Sequence, residues 1–201
     1  MIPFLVLLAC YLIGAIPFGY LLVKLKSGED VRSMGSGNIG ATNVLRTTGR
    51  AAGVVTLLLD IGKGVLAVWL MDHFTGGSTL WMSLAAIAVM AGHAYPVFLQ
   101  FHGGKAVASF IGAFLYLTPI PLIAILIVFV VTVAVTGFIS LGSILAAGSF
   151  PFAVYLISHP PIEVFAAALL AGVFIVWRHQ ANIGRLRSGN ENRFSFKGKR
   201  V

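Results

Sequence analysis

Hydrophobicity along this chain comes in long blocks. Apolar runs at 2–23, 51–71, 79–99, 106–117, 121–137, 141–158 and 162–177 are separated by short polar, glycine-rich or proline-rich breaks. A helix needs about 20 mostly apolar residues to cross about 30 Å of hydrocarbon. The pattern therefore predicts an all-α membrane protein: one integral membrane domain over 1–201, with seven transmembrane helices. The first run lacks a basic stretch before it and a small-x-small cleavage site after it, so it reads as a retained span. Thr118-Pro119-Ile120-Pro121 reads as a tight turn between the fourth and fifth helices. The fourth run, 106–117, reaches only roughly 18 Å at about 1.5 Å per residue. Lys105, just before it, is then expected below the membrane surface, where a lysine is costly and marks function.

The basic residues orient the spans. Lys24, Lys26, Arg32, Arg46 and Arg50 follow the first span, and Lys63 lies in the first half of the second. Lys105 follows the third, and Arg178, Arg185, Arg187, Arg193, Lys197, Lys199 and Arg200 follow the seventh. All 14 Lys and Arg thus fall on or toward one side, while Asp72 to Ser78, Thr118 to Pro121 and Ser158 to Ile162 contain none. The positive-inside rule places the N-terminus outside and the C-terminus in the cytoplasm. Three polar segments, 35–49, 92–105 and 178–192, then share the cytoplasmic face with Ser140 to Ser143.

Composition agrees with this and excludes several classes. The chain is 58% hydrophobic and 10% charged with a mean hydropathy of +0.96, against roughly 25% charged residues in a soluble domain. The net charge of +8 follows from topology, so nucleic acid is not expected as a partner. Cys10, in the first span, is the sole cysteine, so no disulfide forms within one chain. The acids Glu29, Asp30, Asp60, Asp72, Glu163 and Glu191 form no cluster for Mg²⁺, and histidine spacing suits no zinc site. Chemistry without a metal or cofactor is expected.

Gly35-Ser36-Gly37-Asn38-Ile39-Gly40 matches the dinucleotide pattern G-x-G-x-x-G, with Asp60 about 20 residues on. No strand precedes it, and Asp60 lies within an apolar span, so that reading fails. The pattern instead predicts a short surface helix over 39–48, with Asn38 as N-cap and Gly49 as its stop. Asn38, Thr42, Asn43 and Arg46 share one arc of the wheel, with Ala41, Val44 and Leu45 opposite. Free N–H groups at its start, the Ser36 hydroxyl and Arg46 can hold an anion; a glycine-rich turn with an amphipathic connector is the plainer alternative.

The second segment runs from Gly92-His93-Ala94-Tyr95-Pro96 to Gly103-Gly104-Lys105. Gly-Gly-Lys resembles part of a P-loop, but Ala106 stands where the hydroxyl residue belongs. Two side-chain-free amides beside a cation suit one phosphate-sized group. His93, inside an apolar run, reads first as a structural hydrogen-bonder. In the third segment His179 and Asn182 share a face if the last helix continues.

Together the three segments resemble the bacterial acyl-phosphate:glycerol-3-phosphate acyltransferase family. The resemblance lies in Gly35 through Arg46, in His93 through Phe98 with Gly103 through Ala108, and in Arg178-His179, Asn182-Ile183, Arg185-Leu186 and Gly189-Asn190-Glu191. It implies transfer of a fatty acyl group from acyl phosphate to the 1-hydroxyl of glycerol 3-phosphate, giving lysophosphatidic acid and phosphate. The expected setting is the cytoplasmic face of the bacterial inner membrane, with the lipid bilayer as the remaining partner. The resemblance assigns the glycines of the second motif to glycerol 3-phosphate and the positions of Ser36, Arg46, His179 and Asn182 to activity. Lys105 joins these as a catalytic candidate. Gly37, Asn38, Thr42, Asn43, His93, Gly103, Gly104 and Ser143 are candidates for substrate binding, and Glu191 for a structural role at the site. Residues five after His93, His102 and His179 are Phe98, Val107 and Gly184, so the H-x-x-x-x-D signature of thioester-using acyltransferases is absent. A small anion transporter or channel with a basic cytoplasmic pocket is the alternative, but the chain shows no internal repeat to support it.

Overall fold

The computed structural model describes residues 1–194, so Lys197, Lys199 and Arg200 of the basic tail lie outside the described residues. All regular structure in this range is helical. The α-helices are α1 (Ile2–Ala15), α2 (Phe18–Ser27), α3 (Ala41–Thr48), α4 (Arg50–Thr75) and α5 (Thr79–Ala94). They continue as α6 (Val107–Leu117), α7 (Pro119–Thr136), α8 (Ile139–Ser158), α9 (Ile162–Arg178) and α10 (Gln180–Arg187). Short 3-10 turns lie at Val31–Ser33 and Val97–Leu99. The chain divides into two compact units, residues 1–117 and the part from Thr118 onward.

Apolar helices occupy all seven runs, but fewer meet the length of a span. Among the described residues five do: Ile2–Ser27, Arg50–Thr75, Thr79–Leu99, Pro119–Thr136 and Ile139–Ser158. The α9–α10 pair, bent by 54°, makes six if counted as one span. The shortfall from seven is physical: α6 has 11 residues, about 16 Å of helix, and α9 has 17. Breaks fall where local chemistry requires them. Pro119 and Pro121 sit in the first turn of α7, where a missing N–H costs nothing, and Gly137 ends that helix with a left-handed φ of 75°. Within the first span, Pro17 separates α1 from α2, which the apolar pattern alone does not reveal.

In the first unit α4 is the hub, packing on α1, α2, α3, α5 and α6. Helices in lipid gain little from burying apolar surface against one another, so close backbone approach through small residues holds them together. Gly64 and Gly112 do this between α4 and α6: a Cβ on Gly64 would strike the Ser109 carbonyl, and one on Gly112 the Ile61 carbonyl. Gly14 and Gly92 perform the same service between α1 and α5. Elsewhere large apolar side chains point outward, among them Leu58, Trp69, Ile127 and Phe152. In the second unit α8 packs against both α7 and α9, and Gly172 lets α9 approach the Ala147 carbonyl.

Gly112→Val is expected to lower the thermal midpoint of the purified protein by several degrees, since overpacking costs about 3 kcal/mol. Gly62→Ala, whose Cβ would meet no atom, is the control and should leave the midpoint within a degree or two of wild type, on the order expected of a surface change.

Candidate functional site

The segment 28–49 is a loop built around one buried amide. Gly28, with φ of 74°, ends α2, and Asp30 caps the next turn by accepting from the Arg32 N–H at 2.9 Å. The same carboxylate pairs with the Arg32 guanidinium at 2.6 Å, which holds the Asp30 carboxyl below the usual aspartate range. Val31, Ile39 and Val44 then bury into a cluster with Val23 and Leu99. That cluster matters for the site because Leu99 belongs to the second polar segment. Both loops of the first unit therefore rest on one apolar anchor.

Asn43 organises what lies between. Its Oδ1 accepts the Ser36 N–H at 2.9 Å, and its Nδ2 donates to the carbonyls of Asn38 at 2.9 Å and Met34 at 3.0 Å. A Cβ on Gly35 would run into this same Oδ1. Asn43 is thus turned inward on the loop, away from the polar arc that the helical wheel assigns it. The expected N-cap also moves: α3 begins at Ala41 with Gly40 at its cap, and Asn38 Oδ1 accepts the Gly40 N–H at 2.8 Å. An asparagine two residues before its backbone partner forms an Asx turn, which competes with capping. No side chain caps the start of α3, so its first-turn donors keep the character of an anion site. Ser36, Gly37 and Arg46 are exposed, and Thr42 is half-buried on the same helix face as Arg46. Leu45 packs against Gly53 of α4, as the wheel expects.

The second loop corrects a more specific expectation. The Gly103 and Gly104 amides donate to the Ala94 and His93 carbonyls at 3.2 and 3.1 Å, covering the end of α5. A Cβ on Gly103 would strike the His93 carbonyl and the Pro96 ring, and one on Gly104 the His93 imidazole. These glycines are required by close approach to α5, and their N–H groups are already engaged there. The loop also carries left-handed backbone at three non-glycine residues, Gln100, Phe101 and Ala106, with φ of 53°, 62° and 61°. Such conformations persist only where the surroundings enforce them. Lys105, half-buried between Gly104 and strained Ala106, is therefore delivered by a tightly constrained backbone.

Beside this loop lies a group of charges that the sequence pattern does not single out. Asp60 and Lys63, one turn apart on α4, form an ion pair at 2.8 Å with both side chains 2% exposed. Lys63 also donates to the Ile16 carbonyl at 3.0 Å, where Pro17 breaks the first span, and lies 5.7 Å from the Phe18 ring centroid. His93 Nδ1 stands 3.5 Å from Asp60 Oδ1, with the ring buried against Gly104. Lys63 counts toward topology in the sequence pattern; in the structure it is an internal cation. Asp and Lys three apart within an apolar span were the available signal.

In the second unit the helix expected to carry His179 and Asn182 bends by 54° between α9 and α10. His179 stands at the joint, buried, with Nδ1 2.8 Å from the Ile175 carbonyl. A carbonyl only accepts, so Nδ1 carries the proton, and in the neutral ring Nε2 is the basic nitrogen. A backbone carbonyl orients this ring. Asn182 Nδ2 donates to Glu191 Oε1 at 2.8 Å, Ser140 Oγ to the same oxygen at 3.0 Å, and Arg185 Nε to Oε2 at 2.8 Å. Glu191 thereby ties α8 to α10. Ser143 is buried and donates to Ile139 of its own helix at 3.0 Å, so its proton is already placed. Among the described residues no three His, Cys, Asp or Glu side chains gather to hold a metal.

Known proteins align with almost the whole chain. A sequence model of the family described as glycerol-3-phosphate acyltransferase matches residues 4–189. The glycerol-3-phosphate acyltransferase of Desulforamulus reducens is 45% identical over 92% of this chain and 92% of its own length. That of Geobacter metallireducens is 47% identical over 96% of this chain and 98% of its own. Among solved structures, PlsY (YgiH), an integral membrane glycerol 3-phosphate acyltransferase in its glycerol 3-phosphate form, superposes with a TM-score of 0.92. It is 34% identical, covering 97% of this chain and 96% of that one. The lysophosphatidic acid form of the same protein gives 0.89 at 32% identity, over 98% of each chain.

Glu191 generates a pH prediction. Burial acts to raise its carboxyl, but hydrogen bonds from Asn182, Arg185 and Ser140 outweigh it and hold the group below the ordinary glutamate value. The stabilisation is then complete above the unfolded value of about 4.3 and is lost as pH falls through the lower folded value. The thermal midpoint should be flat from about pH 7 to 5 and drop below about 4 on this account. Glu191→Gln, which leaves Arg185 without its anion, is expected to cost about 1–2 kcal/mol at pH 7 and to flatten the acid limb.

Proposed function

The chain belongs to the glycerol-3-phosphate acyltransferase family, and on that basis we propose that it transfers a fatty acyl group from acyl phosphate to the 1-hydroxyl of glycerol 3-phosphate. The products are lysophosphatidic acid and phosphate. The observation that carries this reading is a family match running from residue 4 to residue 189, through all three polar segments in order. The glycerol 3-phosphate and lysophosphatidic acid forms of the solved relative support the acceptor and the product. Acyl phosphate as donor is supported by the absence of an H-x-x-x-x-D signature and by chemistry. A mixed anhydride already has a good leaving group, so positioning and charge neutralisation suffice.

In the reaction the 1-hydroxyl oxygen attacks the acyl carbonyl, the new ester bond forms and the anhydride carbon–oxygen bond breaks. Phosphate departs with that electron pair, and the hydroxyl proton passes to one of its oxygens. In the first unit Arg46 and the Ser36 hydroxyl, with Gly37, Asn38 and Thr42 around them, bind one phosphate, and Lys105 binds the other. Asn43, Gly103 and Gly104 shape these loops from behind. In the second unit His179 and Asn182 contribute to turnover, His179 through its basic Nε2, while Glu191 holds Asn182 in place and Ser143 is a lesser substrate contact. We place the site at the cytoplasmic face of a bacterial inner membrane, with seven spans and the N-terminus outside. The clustering of all 14 Lys and Arg on or toward one side supports this. Lys105 lies before the short α6, which supports a site set slightly into the bilayer.

Purified protein given acyl phosphate and glycerol 3-phosphate should release phosphate, and acyl-CoA should not replace the donor. No release with authentic substrates would end the acyltransferase reading. Arg46→Ala and Lys105→Ala should each lower kcat/KM by about 100-fold or more, as loss of a charged phosphate partner does. Their thermal midpoints should match wild type; near-normal rates in both would show that the phosphates lie elsewhere.

A further inference from the structure

The Asp60–Lys63 pair asks for an explanation that stability does not provide. Taking two ions out of water costs several kcal/mol each, and well-packed apolar residues of similar size commonly serve the fold as well or better. At membrane depth the cost is no smaller, and such residues mark function. The pair also has a specific neighbour. One Asp60 oxygen, Oδ1, lies between Lys63 Nζ at 2.8 Å and His93 Nδ1 at 3.5 Å. The His93 ring in turn lies where a Cβ of Gly104 would be, and the His93 carbonyl accepts the Gly104 N–H at 3.1 Å. Side chain and backbone of one residue thus support the loop immediately before Lys105 on two sides.

We infer that Asp60 is a positioning residue for Lys105, acting through the His93 imidazole on the Gly103–Gly104 loop. Lys63 holds the carboxylate at 2.8 Å, while its own anchor is the Ile16 carbonyl. The carboxylate fixes the ring, the ring fixes the height of Gly104, and Gly104 sets where the Lys105 side chain begins. The loop needs such a device because its backbone is held in left-handed conformations at Gln100, Phe101 and Ala106, which relax if the support behind them yields. The inference rests on the proposed role of Lys105 in phosphate binding. It predicts that disturbing Asp60 weakens substrate binding more than it slows turnover.

The test uses the full chain, purified, with phosphate release as readout and wild-type activity as the check on the acyltransferase reading itself. Asp60→Asn combined with Lys63→Met removes both charges together, so no buried ion is orphaned. This double variant is expected to keep the wild-type thermal midpoint within a few degrees while KM for one phosphate substrate rises about tenfold and kcat changes less than about threefold. His93→Gln should raise KM for the same substrate. The triple variant should be no worse than His93→Gln alone within about twofold, because residues acting in series are not additive. Wild-type KM in the double variant would overturn the inference, and so would losses that multiply in the triple. If the double variant does not fold, Asp60→Glu keeps the ion pair but shifts the carboxylate relative to the ring. It should raise KM about threefold on the same logic, and an unchanged KM overturns the inference as well. An inactive wild-type protein, by contrast, would refute the acyltransferase reading, and with it the role of Lys105 on which the inference rests.

Discussion

Most of this chain folds where water does not reach, and the backbone polar groups placed there have to find their partners within the protein. That constraint explains features that look unrelated. Lys63 supplies a donor to the Ile16 carbonyl, which the proline break leaves without a helical partner. Ser143 returns its proton to Ile139, and His179 Nδ1 turns to Ile175. Cys10 donates weakly to the Ala67 carbonyl at 3.3 Å. In each case a side chain with spare hydrogen-bonding capacity is matched to backbone, and its freedom to meet a substrate is reduced by the same step.

The consequence for the loops is a division of labour between side chains that build and side chains that can contact a ligand. Asn43 and Glu191 are the builders, one in each unit. Asn43 gathers four groups of its segment through an amide with both donors and an acceptor, and Glu191 gathers three through a carboxylate that only accepts. Ser36 is tied to the Asn43 knot through its backbone N–H, while Ser36 and Arg46 are both exposed residues. On the proposed reading of this loop as a phosphate site, rigidity set by Asn43 favours binding, since ordering the loop at each binding event would weaken affinity.

The segmentation was legible in the sequence because bilayer thickness imposes a length on every apolar run. The ends of α7, α8 and α9 fall within about two residues of the pattern, inside the usual spread of helix assignment. The break at Pro17 was hidden inside a run whose hydropathy never falls. Asn43 was placed on the ligand-facing arc because a helical wheel knows angle and not what stands beyond the helix; the loop folding back over α3 consumed its amide. Gly103 and Gly104 were read as phosphate-binding amides because a glycine pair before a lysine has two uses. One is exposing N–H groups, the other is admitting a neighbour, and the packing of α5 against both glycines is not visible in the sequence. Asp60 and Lys63 were each noticed for the wrong reason, one as part of a dinucleotide pattern and one as a topological charge. Their spacing on one helix was sufficient to pair them, but His93 lies on another helix and no spacing rule reaches it.

Glycine pairs before a lysine serve different ends in different folds. In a P-loop the amides face the ligand, and the lysine is an additional charge on the same anion. Here the Gly103 and Gly104 amides face the protein and donate to the end of α5, so phosphate binding as proposed above draws on the lysine more than on the loop amides. A lone ammonium on a flexible stem is a poor positioning device in water. Lys105 stands before the short α6, in a loop with left-handed backbone at Gln100, Phe101 and Ala106 and with the buried His93 imidazole against its neighbour Gly104.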